Sequence, residues 1–161
     1  MKNPNLYFSA VASLLLFSCG QTNSSDSAQN DSLSKAADTV LSTECYTAKD
    51  QSDAASLSLH TSGDGKVTGK LLINYVEKGK NEGEIEGAFR GDTLFVDYTF
   101  KIGNTNETIY KNPLAFLKKD GKLMLGVGQI ETTMGRSYFV KGKPINFDKG
   151  RFIFSPAECG N

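Results

Sequence analysis

From Ala55 onward, apolar side chains recur at every second residue in short runs, and such a chain is patterned to bury one face of a β-sheet. The runs are "ASLSLHT" (55–61), "KVTGKLLINYVE" (66–77), "EGEIEGAFR" (82–90), "DTLFVDYTFKI" (92–102), "ETIYKNPLAFLKK" (107–119), "GKLMLGVGQIE" (121–131), "RSYFVKG" (136–142) and "RFIFSPAEC" (151–159). Turn formers separate them, among them Gly63-Asp64-Gly65, Gly91-Asp92, Asp120-Gly121 and Met134-Gly135. No long helical period interrupts the series. The spacing predicts an all-β domain, an antiparallel up-and-down meander barrel of about eight strands, with a β-sandwich as the alternative. Short turns make each strand the partner of the next.

Alternation puts Ile85, Gly87 and Phe89 on one face, and Leu94, Val96, Tyr98 and Phe100 on one face of the following strand. Arg90-Gly91-Asp92 falls where the chain must reverse. The tripeptide is also an integrin-recognition signal, but Gly91 supplies the positive φ a tight hairpin demands and Asp92 suits a turn, so no partner is needed to explain it.

The N-terminus carries a different signal. Lys2 precedes an apolar run, Leu6 to Phe17, shorter than the ~20 residues that cross a bilayer, so residues 1–18 read as an export signal. Leu16-Phe17-Ser18-Cys19 resembles the bacterial lipobox, which implies lipid attachment at Cys19, palmitate among the acyl chains, and a membrane as first partner. Gly20 after the cysteine implies, by the same resemblance, an outer-membrane location. Residues 19–43, rich in Ser, Asn, Asp and Gln and free of aromatics, lack the apolar surface to offset ordering entropy and read as a lipidated flexible tether. Ser27, Ser32 and Thr39 each follow an Asp in triplets resembling an O-glycosylation signal of exported Gram-negative proteins.

Residues 44–161 form the expected domain. Once Cys19 is acylated, Cys45 and Cys159 are the remaining cysteines, and an even pair in an oxidising compartment is expected to be bridged. One opens the first strand and the other ends the last, so the bridge would staple a barrel seam. The runs "NEGEIEGAFRGDTLFVDYTF" (81–100) and "LAFLKKDGKLMLGVGQIE" (114–131) resemble a pattern of small Gram-negative outer-membrane lipoproteins, and their hairpin texture is similar to calycin-type meander barrels. That resemblance implies a cell-envelope barrel with the option of carrying a small apolar ligand. The chain departs from calycins in having no tryptophan.

A search for chemistry finds no catalytic set, no metal cluster and no cofactor motif. His60, the single histidine, sits opposite Leu57 and Leu59 and should face water; Glu82, Glu84 and Glu86 share an outward strand face with Arg90. Gly126-Val127-Gly128 reads as close packing or a bulge. Eighteen basic residues balance eighteen acidic ones, and no basic stretch suits nucleic acid. Were the barrel to hold a ligand, Tyr75, Tyr98, Phe100 and Phe116 would line it, with Gln129 and Glu131 continuing the alternation to one open end. Eight-stranded interiors are only just wide enough to be filled by side chains, which favours a filled barrel. The expected function is therefore a lipid-anchored, non-enzymatic binding or protein-interaction module. The rivals are a carrier of a small apolar ligand, an envelope hydrolase, or an inhibitor working through a loop such as 104–107 or 143–148.

Overall fold

A computed structural model describes residues 39–105 and 107–160. Ten strands form: β1 (Val40–Asp50), β2 (Asp53–Ser62), β3 (Lys66–Tyr75), β4 (Gly79–Arg90), β5 (Thr93–Ile102), β6 (Tyr110–Lys119), β7 (Lys122–Leu125), β8 (Ile130–Thr133), β9 (Arg136–Phe139) and β10 (Ile153–Ala157). Eight of them close an antiparallel barrel in the order β1-β10-β7-β6-β5-β4-β3-β2, while β8 and β9 pair only with each other. The barrel is thus the expected meander, with one exchange of members. β1 begins at Val40, ahead of the expected domain start, and takes a wall position; the run 136–142 leaves the wall.

Turn chemistry sets the register. Arg90 pairs with Thr93 across Gly91-Asp92, where Gly91 takes φ +60°; Lys119 pairs with Lys122 across Asp120-Gly121, both at positive φ. The Arg-Gly-Asp tripeptide therefore is a hairpin turn, and the Arg90 guanidinium lies over the Phe95 ring, 5.3 Å from its centroid.

Alternation inside the barrel is strict. Leu59, Gly69, Ile85 and Tyr98 lie side by side in register across β2 to β5. Inward glycines let the strands coil: a Cβ on Gly69, Gly83 or Gly87 would collide with the backbone oxygen of Ser58, Thr99 or Phe95 on the next strand. The space this leaves is taken by large side chains from opposite walls. Phe116, Phe152 and Phe154 are fully buried, with Phe116 edge-on to Phe154 at 5.7 Å; Tyr98, Phe100 and Tyr110 stack in succession at 4.5 and 5.5 Å. No polar or charged residue is fully buried among the described residues except through a tyrosine ring.

Each end of the barrel is closed by an ion pair. At one end Arg151 donates to Asp50 (2.6 Å) and Asp53 (2.7 Å) and covers the rings of Tyr75 and Phe152. At the other, Lys118 donates to Glu44 (2.8 Å), Tyr46 donates to the same carboxylate (3.0 Å), and Lys118 lies over Phe89. The seam strand β10 is short, pairing with β1 at 155–157 and with β7 at 153–154, and the Cys45–Cys159 disulfide ties its end to β1 as expected.

Candidate functional site

Between β7 and β10, residues 126–150 leave the wall as an arm. Val127 and Asn146 exchange backbone hydrogen bonds at 2.8 Å, the Val140 N–H donates to the Gln129 carbonyl, and β8 and β9 continue the ribbon to a turn at Met134-Gly135, both at positive φ. Gly126 and Gly128 are the close-packing positions expected of them: Phe147 lies over Gly126, and a Cβ on Gly128 would stand 2.7 Å from the Phe139 ring. Side chains stiffen the ribbon, Thr132 bonding Ser137 at 2.8 Å and Tyr138 donating to Thr133 at 2.9 Å.

The arm lies over the outer wall. β9 runs beside β6, and Arg136 reaches Asp97 on β5 at 3.6 Å, a carboxylate that Lys111 already holds at 2.9 Å. Beneath the arm is a cleft of about 650 Å³ with an apolar floor, including Ala88, Phe95 and Pro113, and with Tyr138 and Phe139 of the arm as its other side. It adjoins a second, polar trough of about 710 Å³ that runs past Glu84, Lys70 and His60 on the outer faces of β2 to β4. The arm also exposes Val127, Ile130, Met134 and Tyr138, and Met134 at its tip is fully exposed. Large apolar groups held in water by a stiff ribbon add nothing to the barrel core.

The residues expected to line a ligand chamber divide sharply. Tyr98, Phe100 and Phe116 are buried in the packed interior. The Tyr98 hydroxyl donates to the Leu71 carbonyl at 3.0 Å, and burial pushes its pKa well above the ordinary phenol value. Tyr75 is half-buried at the end under Arg151, and burial raises its pKa too. Gln129 and Glu131 do not point into the barrel: both are exposed on the arm, because the alternation of β7 stops at Leu125 and the chain turns outward at Gly126. No site therefore brings the six together.

His60 is partly exposed and its Nδ1 hydrogen-bonds the Thr43 hydroxyl at 3.0 Å; Glu82, Glu84 and Glu86 face outward as expected. Thr39 directly precedes β1, its carbonyl accepting the Gly63 N–H, whereas Cys19, Ser27 and Ser32 lie outside the described residues. No group of His, Cys, Asp and Glu suited to a metal occurs among the described residues. In the same residues no helix is long and apolar enough to cross a membrane. The end clusters carry shifts to which their ion pairs contribute. The Lys118 ammonium holds the Glu44 carboxyl below its usual range, and Glu44 raises Lys118 in return. Asp53 is lowered first by the Val76 N–H it accepts and then by Arg151.

The arm and its cleft were missed at the level of sequence. The signal was present in Gly126-Val127-Gly128, which breaks the β7 alternation, and in Met134-Gly135, which makes a hairpin of its own. Comparison of the chain with protein-family profiles, curated proteins and solved structures finds no match.

Proposed function

We propose that the chain is a lipid-anchored module of the bacterial outer membrane, in which the barrel is a non-enzymatic scaffold and the arm with its cleft is the surface that binds a partner. The observation that carries this reading is the contrast between a barrel interior occupied by mutually packed aromatic rings and an arm that holds large apolar groups in water. A packed interior supports a working surface on the outside over carriage of an apolar ligand within.

Topology supports the orientation. Val40, where β1 starts, Cys159 and the turns at 63–65, 91–92 and 120–121 share one end of the barrel. A tether from Cys19 would hold that end toward the lipid, with a reach of roughly 25–30 Å. The arm leaves the wall after Leu125, where the four-residue β7 ends, and lies along the outer face of β5 and β6, open to the side of the barrel.

Two experiments test the reading. Cys19→Ala should abolish incorporation of labelled palmitate and release the chain from the membrane fraction; continued membrane retention without acylation would refute the anchor. A photocross-linking amino acid placed at Met134 in the producing cell should give a discrete adduct that the same group at Lys122 does not. Absence of adducts from Met134, Ile130 and Tyr138 alike would remove the arm as the binding surface.

A further inference from the structure

The charged groups lining the cleft beneath the arm are unevenly paired. Its two carboxylates are each held by a lysine, Glu86 by Lys66 at 2.6 Å and Asp97 by Lys111 at 2.9 Å. Its two guanidiniums are not matched in the same way. Arg136 stands 3.6 Å from Asp97, beyond hydrogen-bond length, and Arg90 rests on the Phe95 ring with no carboxylate partner among the described residues. The cleft lining thus holds two carboxylates already engaged by lysines from beyond it and two guanidiniums without a hydrogen-bonded carboxylate, and these fork-shaped donors are suited to a carboxylate.

The floor also selects the kind of molecule. β4 and β5 are hydrogen-bonded on both sides, so the floor at Ala88 and Phe95 has no free edge to which an extended peptide could add as a strand, and Pro113 on β6 lacks the N–H such a strand would need. Peptide amides laid on Ala88, Phe95 and Pro113 would lose water without gaining partners. A volume of about 650 Å³ is in the range of small-molecule sites.

We propose that this cleft binds a small amphipathic carboxylate, an alkyl or aryl acid whose apolar body lies against Phe95 and Phe139 and whose carboxylate takes the unused donors of Arg90 and Arg136. The inference rests on the reading of the arm and its cleft as the binding surface, and it adds the ligand class. Arg90 is pre-positioned by its ring contact, which lowers the side-chain freedom lost on binding, while Arg136 is carried to the cleft by β9. The ligand site is outside the barrel, on the wall, and does not require the interior to open.

The test uses the full chain carrying Cys19→Ala, titrated with decanoate below its micellar range and followed by amide NMR shifts. The expected result is saturable shifts clustered at Ala88, Phe95, Ser137 and Phe139, with decyltrimethylammonium giving none. Arg90→Gln and Arg136→Gln, both on exposed positions, should each weaken decanoate binding about tenfold while the remaining spectrum stays native, as loss of one charge-assisted contact implies. Equal response to the cationic detergent, shifts confined to interior residues such as Leu71 and Phe116, or no saturable shift at all would each overturn the proposal. So would a short acidic peptide that saturates the same amides when decanoate does not, which would give the cleft to a protein partner. If decanoate fails while the Met134 cross-link persists, only the ligand class falls; if both fail, the binding surface itself is lost.

Discussion

The barrel wall and the arm are built from the same period-two alternation, yet they spend their apolar side chains in opposite ways. In β5, Leu94, Val96, Tyr98 and Phe100 all turn inward and are buried; in the arm, Ile130, Met134 and Tyr138 remain in water. A strand in a closed wall has one dry face by construction, whereas an isolated two-stranded ribbon can dry a face only against something else. The arm finds part of that cover in its own Phe139, Ile145 and Phe147 around Gly126 and Gly128, and in the wall of β6. What is left uncovered is available for recognition.

The comparison breaks first at the seam. Cys45 and Cys159 enclose nearly the whole domain, and the chain-entropy model assigns such a loop about 4–5 kcal/mol. C45A together with C159A should lower unfolding free energy by about that amount in denaturant titration, because β10 pairs only briefly with either neighbour. An unchanged midpoint would mean that the short ladders close the barrel unaided.

Inside the wall, Phe116→Ala removes a fully buried ring that contacts Phe154 and should cost about 3–5 kcal/mol, read from the same titration. A loss below about 1 kcal/mol would indicate an interior that is loosely filled, and would reopen carriage of a ligand. Gly83→Ala should cost about 1–3 kcal/mol, since its Cβ would meet Phe100 Cα at 2.5 Å.

Smaller effects come from the end clusters. Glu44 has a lowered folded-state pKa, so its contribution is present above the unfolded carboxylate value near ~4.3 and fades as pH falls through the lower folded value. Lys118 is raised, so its contribution is present below ~10.4 and is lost as pH rises through the folded value. The pair is over a third exposed, and screening limits it to at most about 1 kcal/mol. Glu44→Gln should therefore flatten part of the acid limb of a stability-against-pH curve; an unaltered limb would assign that limb to other carboxylates such as Asp53. At the arm tip, Met134→Ser should change stability by less than about 0.5 kcal/mol while removing apolar contact surface.

The sequence made the wall legible because its signals were redundant. Ile85, Leu94, Val96 and Tyr98 alternate cleanly, and Gly91 and Gly121 mark the reversals where two-residue turns occur. β1 was harder to read, since "VLSTECYTAKD" commits only Tyr46 and Ala48 to the core and its first four residues are exposed. The arm was misread for a different reason. Period two states that a segment is a strand but not which sheet it joins, so 121–131 looked like one continuous wall strand. Gln129 and Glu131 were consequently directed into a chamber that they never reach. The cleft depends on where the ribbon folds back in space, and no local pattern encodes that.

The division of labour between scaffold and arm is tested most directly by removing the arm's outer ribbon. Residues 130–139 would be replaced by an Asn-Gly turn joining Gln129 to Val140, which are already hydrogen-bonded at 2.9 Å. Unfolding free energy of this chain, measured by denaturant titration with the disulfide intact, should stay within about 1.5 kcal/mol of the parent, as expected for loss of partly exposed contacts. A loss above about 3 kcal/mol, or failure of the shortened chain to fold, would make the arm a structural part of the barrel and contradict its assignment as a recognition element.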